Sequence, residues 1–168
     1  MNIVIMTIGC SGSTILVRML QQMGWNAPDD KYMENPDIRQ LNDGVLNSKE
    51  KFHRERAQPI IEVLPEPWVL KDPRFIQTFQ HWQPILDDRK NCLIYLSRSI
   101  PAIKESLAKR GWGYRSGKKM ILRGVTLEEL GKLCWANFAQ WRGPKVAFSY
   151  EKLKEAIGLF DLERSHDI

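Results

Sequence analysis

The sequence predicts an α/β fold in which a parallel β-sheet carries helices on both faces, giving three layers. Short apolar strands alternate with amphipathic helices along most of the chain, an order typical of parallel sheets. The first strand, Ile3–Ile8, is a continuous apolar run that ends at a glycine, as expected of a strand buried on both faces. Polar clusters follow three of the predicted strands, at Gly9–Thr14, Lys71–Arg74 and Arg98–Ser106. Ligands of such sheets bind at the carboxyl ends of the strands, so we expect these clusters to form one site.

Composition limits the class of protein further. The chain has 168 residues, 43% of them apolar and 27% charged, which predicts a globular chain with one domain over residues 1–168. No apolar run reaches the roughly 20 residues that span a bilayer, and residues 1–8 lack the basic start of a secretory signal. We therefore expect a cytoplasmic protein that does not bind membranes. Three widely separated cysteines predict neither a disulfide framework nor a metal site. The net charge of +5 suits an anionic ligand but is too small to indicate nucleic-acid binding.

The later elements follow from apolar spacing and capping residues. A stripe of apolar residues predicts a helix over residues 13–23, and Gly24 lies where helices commonly end. Thr126 and Glu129 form a capping-box pattern ahead of a helix that runs to about Trp141. The other predicted strands are Trp68–Leu70, Cys92–Leu96 and Lys145–Phe148, and the other predicted helices are Ile100–Arg110 and Tyr150–Ile157.

Two stretches are harder to interpret. Residues 48–58 have a helical pattern that Pro59 interrupts, and Ile60–Leu64 fits either a strand or the tail of a bent helix. The basic stretch Arg115–Gly124 is interpreted as a solvated loop, and whether it closes on a ligand is left open.

The first polar cluster joins the first strand to the first helix. It reads Gly-Cys-Ser-Gly-Ser-Thr over residues 9–14. Backbone N–H groups at the start of a helix favour an anion, and Gly9 and Gly12 let the backbone approach one closely. The loop of nucleoside triphosphatases has the pattern G-x-x-x-x-G-K-[ST], whereas here the second glycine comes too early and no lysine follows it. A glycine-serine turn that only caps a helix is the alternative interpretation.

With all three clusters considered, the chain resembles the sulfotransferases that use 3′-phosphoadenosine 5′-phosphosulfate (PAPS). It is most similar to small members whose second strand ends in Lys-Asp-Pro-Arg, here Lys71–Arg74. Residues 11–14, Ser-Gly-Ser-Thr, match the family loop that holds the 5′-phosphosulfate, and Arg98 and Ser106 have the eight-residue spacing of its 3′-phosphate site. The resemblance covers most of residues 1–157. It implies a P-loop-type sheet and metal-free transfer of a sulfuryl group from PAPS, leaving 3′,5′-bisphosphoadenosine (PAP), to a hydroxyl or amine of a small-molecule acceptor.

The resemblance and the chemistry of sulfuryl transfer together imply a role for each site residue. Glu34 would take the proton of the acceptor, Lys71 would stabilise the transferring group, and Asp72 would orient Lys71 or act as a base. The residues expected to bind the nucleotide are Cys10, Ser11, Gly12, Ser13, Thr14, Arg74, Arg98 and Ser106. The acceptor is expected over residues 28–45. Its pocket is either open to solvent or completed by the second subunit of a homodimer, and both alternatives stay open.

One position departs from the family pattern. Cys10 stands where the family has a basic residue before Ser-Gly. Either another cation, Lys71 or Arg74, supplies that charge, or the chain binds the nucleotide and transfers the group poorly. Two further hypotheses are therefore a non-catalytic nucleotide-binding protein and a small nucleotide or metabolite kinase on the same fold. The missing Gly-Lys-[Ser/Thr] argues against the kinase.

Overall fold

The computed structural model describes residues 1–48, 50–86, 90–116 and 119–157. Its strands are β1 (Asn2–Met6), β2 (Val69–Lys71), β3 (Asn91–Ser97), β4 (Tyr114–Ser116), β5 (Lys119–Leu122), β6 (Val125–Thr126) and β7 (Lys145–Ser149). Its helices are α1 (Ser13–Gln22), α2 (Pro36–Asn47), α3 (Arg54–Glu62), α4 (Phe75–Leu86), α5 (Ile100–Lys109), α6 (Leu127–Gln140) and α7 (Tyr150–Ile157). Within these described ranges, no helix is long and apolar enough to cross a membrane.

The main sheet has four parallel strands in the order β2-β1-β3-β7. Side chains alternate between its two faces, so successive residues of β1 enter different cores. Ile3 and Ile5 pack with α1 and α7, whereas Val4 and Met6 pack with helices α2 to α6. Both faces of the sheet are therefore covered, and the predicted parallel sheet flanked by helices is confirmed.

The strand order also fixes where a ligand can bind. The chain passes from β1 to β2 on one side and later returns to β3 on the other side of β1. The carboxyl ends of β1 and β3 therefore diverge into a crevice, the switch point at which open parallel sheets bind ligands.

Helix α2 was not predicted, although its start carries a clear local signal. Asn35 precedes Pro36, and its side-chain oxygen accepts hydrogen bonds from the backbone N–H groups of Asp37 and Ile38, at 3.0 and 3.1 Å. Asparagine at the N-cap and proline at the first helical position are both favoured. The helix then carries Asn42 and Asp43 towards the end of β2.

The prediction of a helix over residues 48–58 that Pro59 interrupts is wrong in its bounds. Helix α3 spans Arg54–Glu62 with Pro59 inside it, and Ile60 continues the helix rather than forming a strand. Proline removes one backbone hydrogen bond, but Ala57, Ile60 and Ile61 pack against the main core and keep this turn helical.

The basic stretch Arg115–Gly124 was interpreted as a loop, and this is wrong for its described part. Strands β4, β5 and β6 form a small antiparallel sheet. Two residues, Arg123 and Gly124, connect β5 to β6 with positive φ angles of 53° and 76°, as a type I′ hairpin turn requires. Arginine is unusual in such a turn, so the hairpin is difficult to predict from the sequence. Gly117 and Lys118 lie outside the described residues.

Candidate functional site

The loop between β1 and α1 presents unpaired backbone donors. The N–H groups of Ile15 and Leu16 both donate to the carbonyl of Gly12, at 3.1 and 3.3 Å. The N–H groups of Ser13 and Thr14 precede these bonds and belong to the first turn, where helices lack internal acceptors. Gly12 is the N-cap, with φ of 84°, and the first turn has neither a capping side chain nor an acidic residue. The loop therefore favours an anion.

A pair of buried hydroxyl groups ties this loop to the sheet. The hydroxyl groups of Thr7 and Ser11 hydrogen-bond to each other, and the Thr7 hydroxyl donates to the carbonyl of Leu96 at 2.8 Å. The side chain of Ser11 therefore holds the loop against the end of β3. Ser11 is a predicted nucleotide-binding residue, whereas Thr7 is not among the residues predicted for the site. A lone threonine in an otherwise apolar strand run was the available signal.

Arg98 follows β3 and reaches the same loop. Its Nη1 donates to the carbonyl of Cys10 at 3.0 Å, and its guanidinium lies 4.7 Å from the ring centroid of Tyr150. Its Nε is buried and has no hydrogen-bond partner among the described residues. Ser106 lies half-buried in α5, and no hydrogen bond joins it to Arg98. Arg98 thus brings a charged donor with unused capacity to the predicted nucleotide loop.

A cavity of about 340 Å³ adjoins Arg98 at the switch point between β1 and β3. Its polar lining comes from Ser11, Ser97, Arg98 and Glu128, and its apolar lining includes Ile100. We call it the Arg98 pocket. The carboxylate of Glu128 is paired with Lys104 at 3.0 Å, so Arg98 and the two hydroxyl groups beside an apolar wall suit a ligand with an anionic group and a flat apolar part.

A buried ion cluster is built from two segments that are distant in the sequence. Nζ of Lys71, at the end of β2, donates to the carbonyl of Tyr32 and to Oε1 of Glu34 at 3.2 Å. Oε2 of Glu34 accepts from Nη1 of Arg74 at 3.0 Å. The side chain of Lys71 is only 3% exposed. Both oxygens of Glu34 therefore bind cations, and the charge of Lys71 is engaged inside the protein.

Asp72 orients Arg74 rather than Lys71. Its Oδ1 accepts from the backbone N–H and from Nη1 of Arg74, at 2.7 and 3.0 Å, and its Oδ2 accepts from Nδ2 of Asn42 at 3.1 Å. Nε of Arg74 also donates to Asp43 at 2.6 Å. The amide of Asn42 is fixed in turn by the buried donors of α4, Thr78 and Trp82, both at 2.8 Å. Asp72 is 1% exposed, so these bonds occupy it fully.

The electrostatics of the cluster follow from this pairing. Burial lowers the pKa of Lys71, although Glu34 opposes the shift by favouring the charged amine. Burial also disfavours the charge of Arg74, but Asp72 and the hydrogen bonds to Asp43 and Asp72 outweigh it and raise the pKa of the guanidinium. Arg74 is therefore a fixed cation whose charge is balanced by three carboxylates.

A second cavity, of about 300 Å³, lies above this cluster and is called the Glu34 pocket here. It extends from Gly9 in the loop to the β5–β6 hairpin. Its lining residues are Gly9, Tyr32, Glu34, Arg39, Pro73, Arg74, Leu107, Trp112, Leu122 and Arg123. Lys71 is absent from this lining. Both cavities therefore touch the loop, one through Ser11 and the other through Gly9.

The predicted site residues thus separate into two groups around the loop. Arg98 adjoins the loop beside the Arg98 pocket, while Glu34 and Arg74 border the Glu34 pocket. Trp112 lines the Glu34 pocket, and its ring centroid lies 6.2 Å from that of Tyr32. The described residues hold no group of three or more metal-binding side chains.

Comparison with known proteins adds the fold. No protein-family model matches the sequence, and no curated protein matches it. Among solved structures, the chain is similar to a deoxyadenosine kinase from M. mycoides with bound dATP, with a TM-score of 0.53 and 19% identity. The match covers 98% of this chain and 100% of that chain. At this identity the likeness concerns the fold alone. The chain therefore has an α/β fold similar to that of this kinase, with a parallel sheet of four strands flanked by helices.

Proposed function

We propose that this chain transfers a sulfuryl group from PAPS to a hydroxyl or amine of a small-molecule acceptor. The observation that carries the proposal is the bond from Arg98 to the carbonyl of Cys10. It holds a guanidinium with an unused donor beside a loop that itself favours an anion. Two anion-binding elements so close together suit a nucleotide with phosphate on both its 3′ and 5′ positions, as in PAPS.

The donor would lie along the switch point. Residues 11–14 would bind the 5′ end through the free backbone donors of the first helical turn. The hydroxyl groups of Ser13 and Thr14 have no partner among the described side chains and backbone groups, so they would add further donors. Arg98 would bind the 3′-phosphate, with Ser106 as a second contact after a small movement of α5. The apolar wall of the Arg98 pocket would receive the adenine.

The acceptor would occupy the Glu34 pocket. Its hydroxyl or amine would attack the sulfur, the bond from sulfur to the 5′-phosphate oxygen would break, and PAP would leave with the resulting negative charge. Glu34 would accept the proton of the acceptor, exchanging one of its two cation contacts for that proton. Lys71 and Arg74 would hold Glu34 in place, and Asp72 would hold Arg74.

The test is a thermal-shift comparison of PAP with AMP, ADP and ATP, followed by transfer of radiolabelled sulfate from PAPS to a mixed metabolite extract. A larger shift with PAP than with the other nucleotides, together with labelled product, is the expected result. Stabilisation by ATP alone, without labelled product, would contradict the proposal.

A second candidate is a small nucleotide or metabolite kinase. Its support is the likeness to a deoxyadenosine kinase with bound dATP. Against it, the loop contains no lysine for the terminal phosphates of ATP. Magnesium-dependent turnover of ATP with the same extract would favour this candidate. Binding of PAP without transfer to any acceptor would favour the third hypothesis, a non-catalytic nucleotide-binding protein.

A further inference from the structure

The proposed reaction needs a cation at the transferring group, and the residues assigned so far do not supply it. During sulfuryl transfer the sulfuryl oxygens carry negative charge while more develops on the departing phosphate oxygen, and a cation at the sulfuryl group is a usual way to stabilise this transition state. Residues 9–14 contain neither lysine nor arginine. Lys71 is bound to Glu34 and is absent from the lining of both pockets, and Arg74 is balanced by three carboxylates. Of the other arginines that line the two pockets, Arg98 is assigned to the 3′-phosphate and Arg39 is paired with Asp30 at 3.7 Å, so the remaining candidate is Arg123.

Arg123 is such a cation, held at the loop by the β5–β6 hairpin. It lines the Glu34 pocket together with Gly9 and Glu34. The preceding side chain, Leu122, lies 4.0 Å from the position of a Cβ on Gly9, so the hairpin packs directly against the loop. Arg123 makes neither a hydrogen bond nor an ion pair with any residue in the described part of the chain. Its guanidinium keeps all its donors for a ligand.

The surroundings of Arg123 favour binding of an anion. Burial lowers the pKa of its guanidinium, and the charge of Arg74 lowers it further. Asp72, Glu34 and Asp43 act in the opposite direction without cancelling this effect. A half-buried cation without a direct partner gains most from an anion that both neutralises it and accepts its hydrogen bonds.

The backbone at Arg123 is also unusual. Its φ of 53° lies in the left-handed region, which an arginine rarely adopts and which asparagine or glycine adopts more easily. This position therefore carries a long cationic side chain, although the conformation of the turn alone favours asparagine or glycine. Strained positions of this kind concentrate at functional sites.

We infer that Arg123 is the catalytic cation, and that its guanidinium binds the transferring sulfuryl group at Gly9. This inference rests on the proposed sulfuryl transfer. In the reaction the guanidinium would donate to the sulfuryl oxygens while the sulfur passes from the 5′-phosphate oxygen to the acceptor. The proton goes to Glu34, and the electron pair of the broken bond stays on the phosphate of PAP.

The test compares Arg123→Asn with Arg123→Lys. Asparagine before Gly124 is the preferred sequence of a type I′ turn, so Arg123→Asn removes the charge while supporting the hairpin. Arg115→Asn is the matched control, because Arg115 is an exposed arginine in the same small sheet. Thermal melting of each variant checks that the hairpin is intact.

Two quantities are measured for each variant. The first is the rate of radiolabelled sulfate transfer from saturating PAPS, over a dilution series of the metabolite extract. Arg123→Asn should lower the rate at saturating extract about 100-fold or more, Arg123→Lys should recover part of it, and the control should change little. The second is the affinity for nucleotide, measured by calorimetry without acceptor. Arg123→Asn should weaken the affinity for PAPS about tenfold and leave the affinity for PAP unchanged.

Several results would overturn the inference. These are an unchanged rate in a folded Arg123→Asn variant and an equal loss in the Arg115→Asn control. A third is a change in Arg123→Asn only of the extract concentration needed for half-maximal rate, with the maximal rate and the PAPS affinity unaffected. The guanidinium would then bind the acceptor and not the sulfuryl group. If the wild type transfers no sulfate, the proposed function fails. Equal affinity of wild type and Arg123→Asn for PAPS then overturns the inference as well.

Discussion

Replacing Arg98 with alanine removes two contacts. Their contributions to affinity can be distinguished by measuring ligands with and without a 3′-phosphate. The first is the bond to the carbonyl of Cys10, which shapes the loop for every nucleotide. Its loss should weaken all ligands of the loop by about 1 kcal/mol. The second is the proposed contact with the 3′-phosphate, in a pocket where the guanidinium is partly shielded from water. Loss of that charge-assisted contact should cost about 2–4 kcal/mol, and only for a ligand that carries a 3′-phosphate.

The assay is calorimetric titration with PAP and with AMP, which has no 3′-phosphate. The additional 2–4 kcal/mol corresponds to a ratio of PAP to AMP affinity that falls about 30- to 700-fold in Arg98→Ala. Arg98→Lys keeps the charge and should recover part of this ratio. Arg142→Ala removes an exposed arginine and controls for net charge. Equal losses of affinity for PAP and AMP in Arg98→Ala would refute the assignment of Arg98 to the 3′-phosphate.

Three further changes test the loop and the ion cluster. Gly12→Val should abolish PAP binding in calorimetry and lower the melting temperature, because a Cβ there would overlap the ring of Tyr150 and the φ of 84° is strained for valine; an unchanged melt with full binding would contradict this. Glu34→Gln should lower the free energy of unfolding in urea by about 3–5 kcal/mol, because it leaves buried Lys71 short of its counter-charge; an unchanged midpoint would count against the cluster. Cys10→Arg adds a cation to the loop and should leave sulfate transfer unchanged or faster, and a large fall in rate would argue against a catalytic loop.

Much of the fold could be predicted because its signals are local. The apolar run that forms β1 has a single interpretation, since both of its faces are buried. The capping box at Thr126 and Glu129 is present as predicted, with the Thr126 side chain accepting from the N–H of Glu129. Patterns of this kind depend on neighbours within a few residues, so a sequence carries them completely.

The geometry of the site depends on contacts between residues that are distant in the sequence. The spacing of apolar residues does not indicate such contacts. The pairing of Glu34 with Lys71 joins residues 37 positions apart, and that of Asn42 with Asp72 joins residues 30 apart. The sequence located Glu34 and Lys71 at the site but gave no sign that they bind each other. Arg123 was similarly placed in a loop, because an Arg-Gly pair is a weak signal for a hairpin turn. The sequence thus indicates which charged residues lie at the site. Which residue each of them pairs with is known only from the folded structure.

The ion cluster beneath the Glu34 pocket has a consequence for how this pocket can change. Its members neutralise one another in a largely buried cluster, so a single substitution among them leaves an unpaired charge and destabilises the fold. Tyr32, Trp112 and Leu122 line the same pocket without carrying charge, and the first two are partly exposed. Substitutions selected for new acceptors should therefore accumulate at these three uncharged residues. The charged residues of the ion cluster should be retained together.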